Sequence, residues 1–357
     1  MKKDIQVGLI GFGMAGRVFH APFIANVAGL KLRKIRETKQ ANIHIANTYY
    51  PEAEIVGDSK AILQDPEIDL VVVASPNATH YSLAKEALEA GKHVLVDKPF
   101  TVTSAEAREL IQLAEQQQKV LTVFQNRRWD SDFKTVKKIV ENQLLGNLVE
   151  YEAHFDRFRN FIKEDTWKEE DHPGSGILYD LGAHLIDQSL YLFGKPEAVT
   201  ADLRAQRQGS SIIDHFDLTL HYPQLKVILK AGMLVKETGP HFRLLGDQGS
   251  FTKYGMDVQE EALKANQHPK GNSAWGIEPE NLWGSLQTTF NGLQFRGKIE
   301  SETGDYTALY QNVYNAILGE EELVVKPEQA QTTIQVIEAA YQSHQERRTV
   351  FLNAVEQ

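Results

Sequence analysis

The chain has 357 residues, a formal net charge of −10, 42% hydrophobic residues and no cysteine. That length exceeds one ordinary core and predicts two domains. The composition excludes disulfides, thiolate metal sites and a cysteine nucleophile. It offers no basic block for nucleic acid and no apolar run long enough to span a bilayer.

The opening residues run straight into a strand pattern without an apolar leader, so a cytoplasmic protein with no membrane association is expected. Residues 5–10 form a short apolar run that suits a buried parallel strand. Gly11-Phe12-Gly13-Met14-Ala15-Gly16 follows, and a helix is expected over 15–27. In this spacing Gly11 permits a tight turn, Gly13 lets a pyrophosphate approach the backbone, and Gly16 lets the helix sit against the strand. Strands are expected at 30–35, 54–56, 69–74, 93–96 and 120–124. Helices are expected at 59–63, at 79–89, and from Ser104, with Glu106 and Glu109 in its early turns. Strands and helices alternating in this way predict a doubly wound parallel sheet, a Rossmann domain over residues 1–127.

Ligands of such sheets bind outside the carboxyl ends of the strands. Three loops fall there: Ser75-Pro76-Asn77, Asp97-Lys98-Pro99 and Gln125-Asn126-Arg127-Arg128. Taken singly they read as turn punctuation. Their shared edge makes Ser75, Pro76, Asn77, His80, Lys98 and Asn126 candidate cofactor contacts, beside Gly11 to Gly16. The second strand ends in Arg36, Glu37, Thr38 and Lys39. Glu37 would suit the ribose diol of NAD, whereas Arg36, Thr38 and Lys39 would cradle the 2′-phosphate of NADP. Three phosphate-compatible groups against one carboxylate favour NADP, with NAD as the alternative.

From residue 128 to 357 the rhythm changes. A helix over 130–145 stops at Gly146. Strand-like runs cover 148–158, 198–206, 212–221, 226–232, 242–245, 249–254 and 293–299, and helices are expected at 306–318 and 327–344. Alternation of apolar and polar residues over 217–222 fits a large, mainly antiparallel open sheet in an α+β domain. An interdomain cleft is expected. Between the strands, residues 174–187 read as a glycine-rich entry into a helix that carries Asp180, His184 and Asp187. Asp180 and His184 are four apart, hence on one helical face. Spacing alone also allows a surface ion pair, or a metal site completed by His154.

The 11–16 motif, the Asp97-Lys98-Pro99 loop and the 174–184 segment, in this order and spacing, resemble the Gfo/Idh/MocA oxidoreductase family over essentially the whole chain. The segments Asn126-Arg127-Arg128-Trp129-Asp130, His154 to Arg159 and Tyr179 to Gly182 resemble its NADP-dependent scyllo-inositol dehydrogenase branch. The family's usual glutamate before Lys-Pro is replaced here by Asp97, which keeps the carboxylate.

The resemblance implies hydride transfer between NAD(P) and a CH–OH group of a cyclic polyol or sugar, with scyllo-inositol and its inosose as the first expectation. It assigns Lys98, Asp180 and His184 as catalytic and makes Pro76 and Asn77 cofactor contacts. His184 would act as general base, Lys98 would stabilise alkoxide charge, and Asp180 would orient substrate or histidine. No metal is needed. Asn126, Arg157 and Trp167 are expected beside the substrate, although a structural role is equally open for Arg157, Trp167 and His154. A homodimer or homotetramer through the C-terminal sheet is implied. An NAD-dependent glycosidase of the same fold and a non-catalytic dinucleotide sensor are the alternatives. The sensor is disfavoured because it requires none of the three catalytic residues.

Overall fold

The computed structural model describes residues 3–163 and 169–352, and the chain divides into two units. Unit 1 holds the chain up to Asn126 together with Gln259–Trp275 and Asp305–Gln331. Unit 2 holds Arg127–Val258, Gly276–Gly304 and the chain from Thr332 onward. The first boundary lies one residue before the expected one. The return of two later segments to unit 1 departs from the expected linear division, and aromatic packing explains part of it. Tyr306 and Tyr310 are fully buried, with ring centroids 6.0 and 6.4 Å from that of the equally buried Phe23.

Unit 1 is built on β1 (Ile5–Ile10), β2 (Leu30–Arg36), β3 (Glu54–Val56), β4 (Leu70–Val73), β5 (His93–Val96) and β6 (Leu121–Val123). The strand order is β3-β2-β1-β4-β5-β6 and every pairing is parallel. β4 reads Leu-Val-Val-Val with every residue buried, as a central parallel strand requires. The helix Ser104–Gln116 starts with a capping box. Thr103 Oγ1 accepts from the Glu106 N–H at 3.2 Å, and the Glu106 carboxylate accepts from the Thr103 N–H at 3.0 Å. The helix Gln40–Tyr49 was not expected; only Ala46 in it is buried, so it carries little apolar periodicity.

Unit 2 carries β7 (Leu148–His154), β8 (Ala198–Arg204), β9 (His215–His221), β10 (Lys226–Gly232), β11 (Phe242–Gly246), β12 (Gly249–Lys253), β13 (Gly284–Phe290), β14 (Leu293–Ile299) and β15 (Val350–Phe351). Their order is β14-β13-β12-β11-β7-β10-β9-β8-β15, and only β7 and β10 pair in parallel. Phe216, Leu218 and Leu220 of β9 and Val227, Leu229 and Ala231 of β10 point into one hydrophobic core. Phe133 and Val136 of the helix Ser131–Glu141, Leu185 and Ile186 of the helix Ala183–Phe193, and Ile334 and Ile337 join it. β7 ends at His154 rather than at 158, and Phe158 makes only an isolated bridge to Leu234. β9 begins at His215 rather than at 212. No described helix is long and apolar enough to cross a membrane.

Within unit 1, Asp65 joins β2 to the loop before β4. Its carboxylate accepts from the Glu67 N–H at 2.9 Å and lies 3.0 Å from Lys34 Nζ and 3.2 Å from Arg33 Nε. Burial raises its pKa, but the Glu67 N–H, Lys34 and Arg33 outweigh this and bring it down to about 2. The folded value lies below the unfolded value of about 3.9, so the stabilisation is complete above that pH and is lost as pH falls toward 2. Asp65→Asn should lower the unfolding free energy at pH 7 by about 2 kcal/mol. Urea titrations at several pH values check this, and a cost that does not shrink between pH 5 and 3 would contradict it.

Candidate active site

At the end of β1, Gly11 adopts a φ of 102°, and a Cβ there would stand 2.4 Å from the Ala74 carbonyl oxygen. Its N–H donates to the Arg36 carbonyl at 3.2 Å. A Cβ on Gly16 would stand 2.0 Å from the Gly11 carbonyl oxygen, whereas nothing lies within 4 Å of one on Gly13. Two glycines are therefore demanded by close packing, and the third leaves open space at the turn. This cradle fits a dinucleotide pyrophosphate approaching the start of a helix. The helix opens with a π-turn, Gly16–His20, which continues into Ala21–Asn26. Met14 is exposed and Ala15 half-buried. Phe12 turns inward, fully buried and edge-on to Tyr50 at 6.0 Å, so its side chain belongs to the core.

At the end of β2 the Glu37 carboxylate is already engaged. It accepts from the Thr38 N–H at 2.7 Å, the Lys39 N–H at 2.9 Å and Asn42 Nδ2 at 2.8 Å. Burial raises its pKa, but these bonds and Arg36 hold it below the usual carboxylate range. Glu37 thus leads into the helix Gln40–Tyr49. Arg36 is half-buried, and Thr38 and Lys39 are exposed.

The loops after β4 and β5 are linked through histidine. Ser75 Oγ bonds Thr79 Oγ1 at 2.7 Å, and Thr79 Oγ1 donates to the Pro76 carbonyl at 2.8 Å. Asn77 opens a short 3₁₀ turn before the helix His80–Glu89. His80, expected as a cofactor contact, is fully buried. Its Nδ1 lies 2.8 Å from the Pro99 carbonyl and its Nε2 2.9 Å from the Ser75 carbonyl. Asp97 accepts from the Lys98 N–H at 2.8 Å and faces His20 Nε2 at 3.7 Å, while His20 Nδ1 bonds Tyr310 Oη at 2.6 Å. Burial raises the Asp97 pKa, but His20, Lys98 and His80 hold it below the usual range. Lys98 is half-buried, and Asn126 is buried at the end of unit 1.

In unit 2, Asp180 sits in a π-turn, Leu178–Gly182, and its N–H donates to the Gly176 carbonyl at 3.1 Å. His184 is the second residue of the helix Ala183–Phe193 and is 5% exposed. The four-residue step from Asp180 to His184 thus runs from the π-turn into the α-helix. Asp187 is set apart from both. It accepts from Arg128 Nε and Nη2, each at 2.7 Å, as a buried bidentate pair, and the Arg128 guanidinium lies 4.4 Å from the Tyr191 ring centre. Arg157 lies 4.8 Å and Arg127 4.9 Å from the buried Phe155 ring.

His154 sits between Glu152 at 2.9 Å and Asp156 at 3.0 Å. Burial lowers its pKa, but the two carboxylates outweigh this and raise it. Among the described residues no cluster of three or more His, Asp or Glu suits a metal. Trp167 lies outside the described residues.

Lys98 thus belongs to unit 1, and Asp180 and His184 to unit 2. Sequence reasoning missed His20 and Tyr310. A histidine inside the apolar stretch Val18-Phe19-His20-Ala21-Pro22-Phe23 was the available signal, since a buried imidazole needs a partner.

Residues 5–125 match the Gfo/Idh/MocA model described as oxidoreductase family, NAD-binding Rossmann fold. Residues 137–352 match the model described as oxidoreductase family, C-terminal alpha/beta domain. The chain is 42% identical over 352 residues to the uncharacterized oxidoreductase YdgJ of Escherichia coli strain K12, covering 99% of this chain and 100% of that one. It is 37% identical over 348 residues to scyllo-inositol 2-dehydrogenase (NADP(+)) IolW of Bacillus subtilis strain 168, covering 98% and 96%. A solved structure of an oxidoreductase from Bacillus cereus matches with a TM-score of 0.90 at 34% identity, covering 99% of this chain and 100% of that one.

Removing one partner of a buried ion pair strands the other, at a cost of about 3–5 kcal/mol. Asp187→Ala should therefore lower the unfolding free energy by about that amount, and pairing it with Arg128→Met should restore much of the loss. Urea denaturation of both variants is the check. A loss below about 1 kcal/mol for Asp187→Ala would mean that the pair is solvated.

Proposed function

The chain belongs to the Gfo/Idh/MocA oxidoreductase family, and we propose that it is an NADP-dependent dehydrogenase of cyclic polyols or sugars, with scyllo-inositol and its inosose as the leading substrate pair. The observation that carries this reading is the placement of Lys98 at the carboxyl edge of the same parallel sheet whose first turn leaves Gly13 open. A nucleotide cradle and a cationic side chain on one edge suit redox chemistry at a hydroxyl-bearing carbon. The names of IolW, a scyllo-inositol dehydrogenase, and of a D-glucoside 3-dehydrogenase 29% identical over 192 residues support the polyol or sugar class.

When bound, the dinucleotide supplies or accepts the hydride. Lys98 donates a hydrogen bond to the substrate oxygen and stabilises the alkoxide charge that develops there. His184 takes the hydroxyl proton in the oxidative direction, a task suited to an imidazole near neutral pH. Asp180 orients the substrate or the histidine. Asn126 and Arg157 are proposed as further substrate contacts.

The preference for NADP rests on Glu37. A free carboxylate would hold a ribose diol and repel a 2′-phosphate, but this one is tied to Thr38, Lys39 and Asn42. The exposed Thr38 and Lys39, with Arg36, are left to meet the phosphate. A second copy of the chain is proposed to cover the face of the nine-stranded sheet opposite its core, where Glu152, His154, Thr219 and Ile228 are only half-buried.

A charge-assisted bond to phosphate contributes about 1.5–3 kcal/mol, so loss of one is worth at least about tenfold in affinity. The double variant Arg36→Ala/Lys39→Ala should weaken NADP binding by at least about tenfold and NAD binding far less. Calorimetric titration with each dinucleotide tests this, and equal losses would reject the assignment.

Lys98→Met and His184→Asn should each lower kcat by about 10²–10⁴-fold. The double variant should cost less than the product of the two, as residues that serve one catalytic step do. Reduced-nicotinamide absorbance over a panel of inositols and pyranoses measures this, with denaturation curves as the control for the buried His184. Near-native kcat in either variant removes that residue from the mechanism. Turnover of an open-chain 2-hydroxy acid with none on the panel would overturn the substrate class.

A further inference from the structure

We propose that His80 carries a proton on both ring nitrogens and clamps together the two loops that flank it, acting as a positioning residue for Lys98. The functional half of this inference rests on the catalytic reading of Lys98; the protonation half does not.

The argument is a count of donors and acceptors. A neutral imidazole has one N–H and one bare nitrogen. Both His80 nitrogens face backbone carbonyl oxygens, at 2.8 Å for Nδ1 to Pro99 and 2.9 Å for Nε2 to Ser75. A carbonyl accepts and cannot donate, so a neutral ring would set a nitrogen lone pair against an oxygen lone pair. His80 is fully buried, so bulk solvent does not reach either nitrogen. A second ring proton resolves it and gives each carbonyl a charge-assisted bond.

The counter-charge is at hand. Asp97, in the loop that carries Pro99, acts on both His80 and His20. His20 already bonds Tyr310 through Nδ1 and approaches the Asp97 carboxylate only to 3.7 Å. On balance the His80 pKa is lowered, burial being the largest influence with Lys98 adding to it, while Asp97 and the two carbonyls act the other way. Against this stands the donor count, since each ring nitrogen faces a carbonyl oxygen that can only accept.

The position of the clamp gives it a task. Ser75 directly precedes Pro76 and Asn77, and Pro99 directly follows Lys98. Tying the two carbonyls to one rigid ring fixes the spacing between the cofactor-side loop and the lysine. A misplacement of about 1 Å at a reacting group can cost about a hundredfold in rate.

The first test is nitrogen NMR of the full chain with histidine ring labelling, the His80 signal being assigned by its loss in His80→Gln or, if that variant does not fold, in His80→Asn. Both ring nitrogens should bear protons from pH 6 to 8. A ring with one bare nitrogen at pH 7 overturns the proposal, whatever Lys98 proves to do. The second test is kinetic. His80→Gln should lower kcat by about 10–100-fold while the dinucleotide Kd changes less than about threefold. In a Lys98→Met background the same substitution should cost almost nothing further. An equal cost in both backgrounds would show a general structural role and overturn the positioning claim. If wild-type turnover does not depend on Lys98, the reading of Lys98 fails while the NMR result still stands.

Discussion

The approach of Gly11 to the Ala74 carbonyl is the contact on which the carboxyl edge of the parallel sheet is organised. A Cβ at Gly11 would stand 2.4 Å from that oxygen, so any other residue would push the end of β1 away from β4. Two backbone bonds hold the junction on either side, from Ala74 N–H to the Ile10 carbonyl at 2.8 Å and from Gly11 N–H to the Arg36 carbonyl at 3.2 Å. The phosphate turn, the end of β2 and the Ser75 loop are set by these few atoms. His80 then carries the same order one strand further, to the loop of Lys98. The edge behaves as one hydrogen-bonded assembly, and its candidate residues inherit their positions from backbone packing.

Unit 2 fixes its candidate residues by another device, the satisfaction of buried charge. Asp187 and Arg128 neutralise each other, and Gln188, the next residue on the helix, donates to the Arg127 carbonyl at 3.0 Å. The helix that bears His184 is thereby fastened to the segment at the start of the unit. Elsewhere Lys253 and Glu278 are fully and almost fully buried. They lie 3.2 Å apart, with Ser131 and Ser301 bonding the carboxylate at 2.8 and 2.6 Å. Pairs of this kind add little net stability over apolar packing, but removing one partner leaves the other as an uncompensated buried charge.

Most of the fold was legible in the sequence because its signals are local. The glycine motif, the apolar runs of the parallel strands and the alternation in β9 depend on residues close in the chain. The helix Gln40–Tyr49 escaped because it lies on the surface with a single buried residue. β13 escaped although its turn was written plainly. Asn291 and Gly292 form the two-residue connection to β14 with φ of 49° and 80°, the signature of an Asn-Gly hairpin. In the candidate site, the close packing at Gly11 and Gly16 was readable from the motif. The roles of Glu37, His80 and Asp187 were not, because each is set by a hydrogen-bond partner that no spacing rule supplies. Asp187 shows this best, since its i+3 step from His184 suggested a shared face, while Arg128, 59 positions earlier, holds it in place.

The discontinuity of unit 1 bears on how the protein is made. The parallel sheet is complete once β6 has been synthesised, yet Phe23 and His20 then still lack the rings of Tyr306 and Tyr310 that bury and bond them. Thr122 likewise waits for the Val325 carbonyl, which it meets at 2.8 Å. A growing chain must therefore hold an unfinished nucleotide-binding unit, with an apolar helix face uncovered, while all of β7 to β14 emerges. Closure of the first unit, with Asp305–Gln331, and completion of the second, with the segment from Thr332, follow directly on one another. The chain is thus exposed to the hazards of a partly folded intermediate from β6 until Tyr306 and Tyr310 have emerged, and a fragment cut at the end of β6 would carry the whole parallel sheet without the rings that cover its first helix.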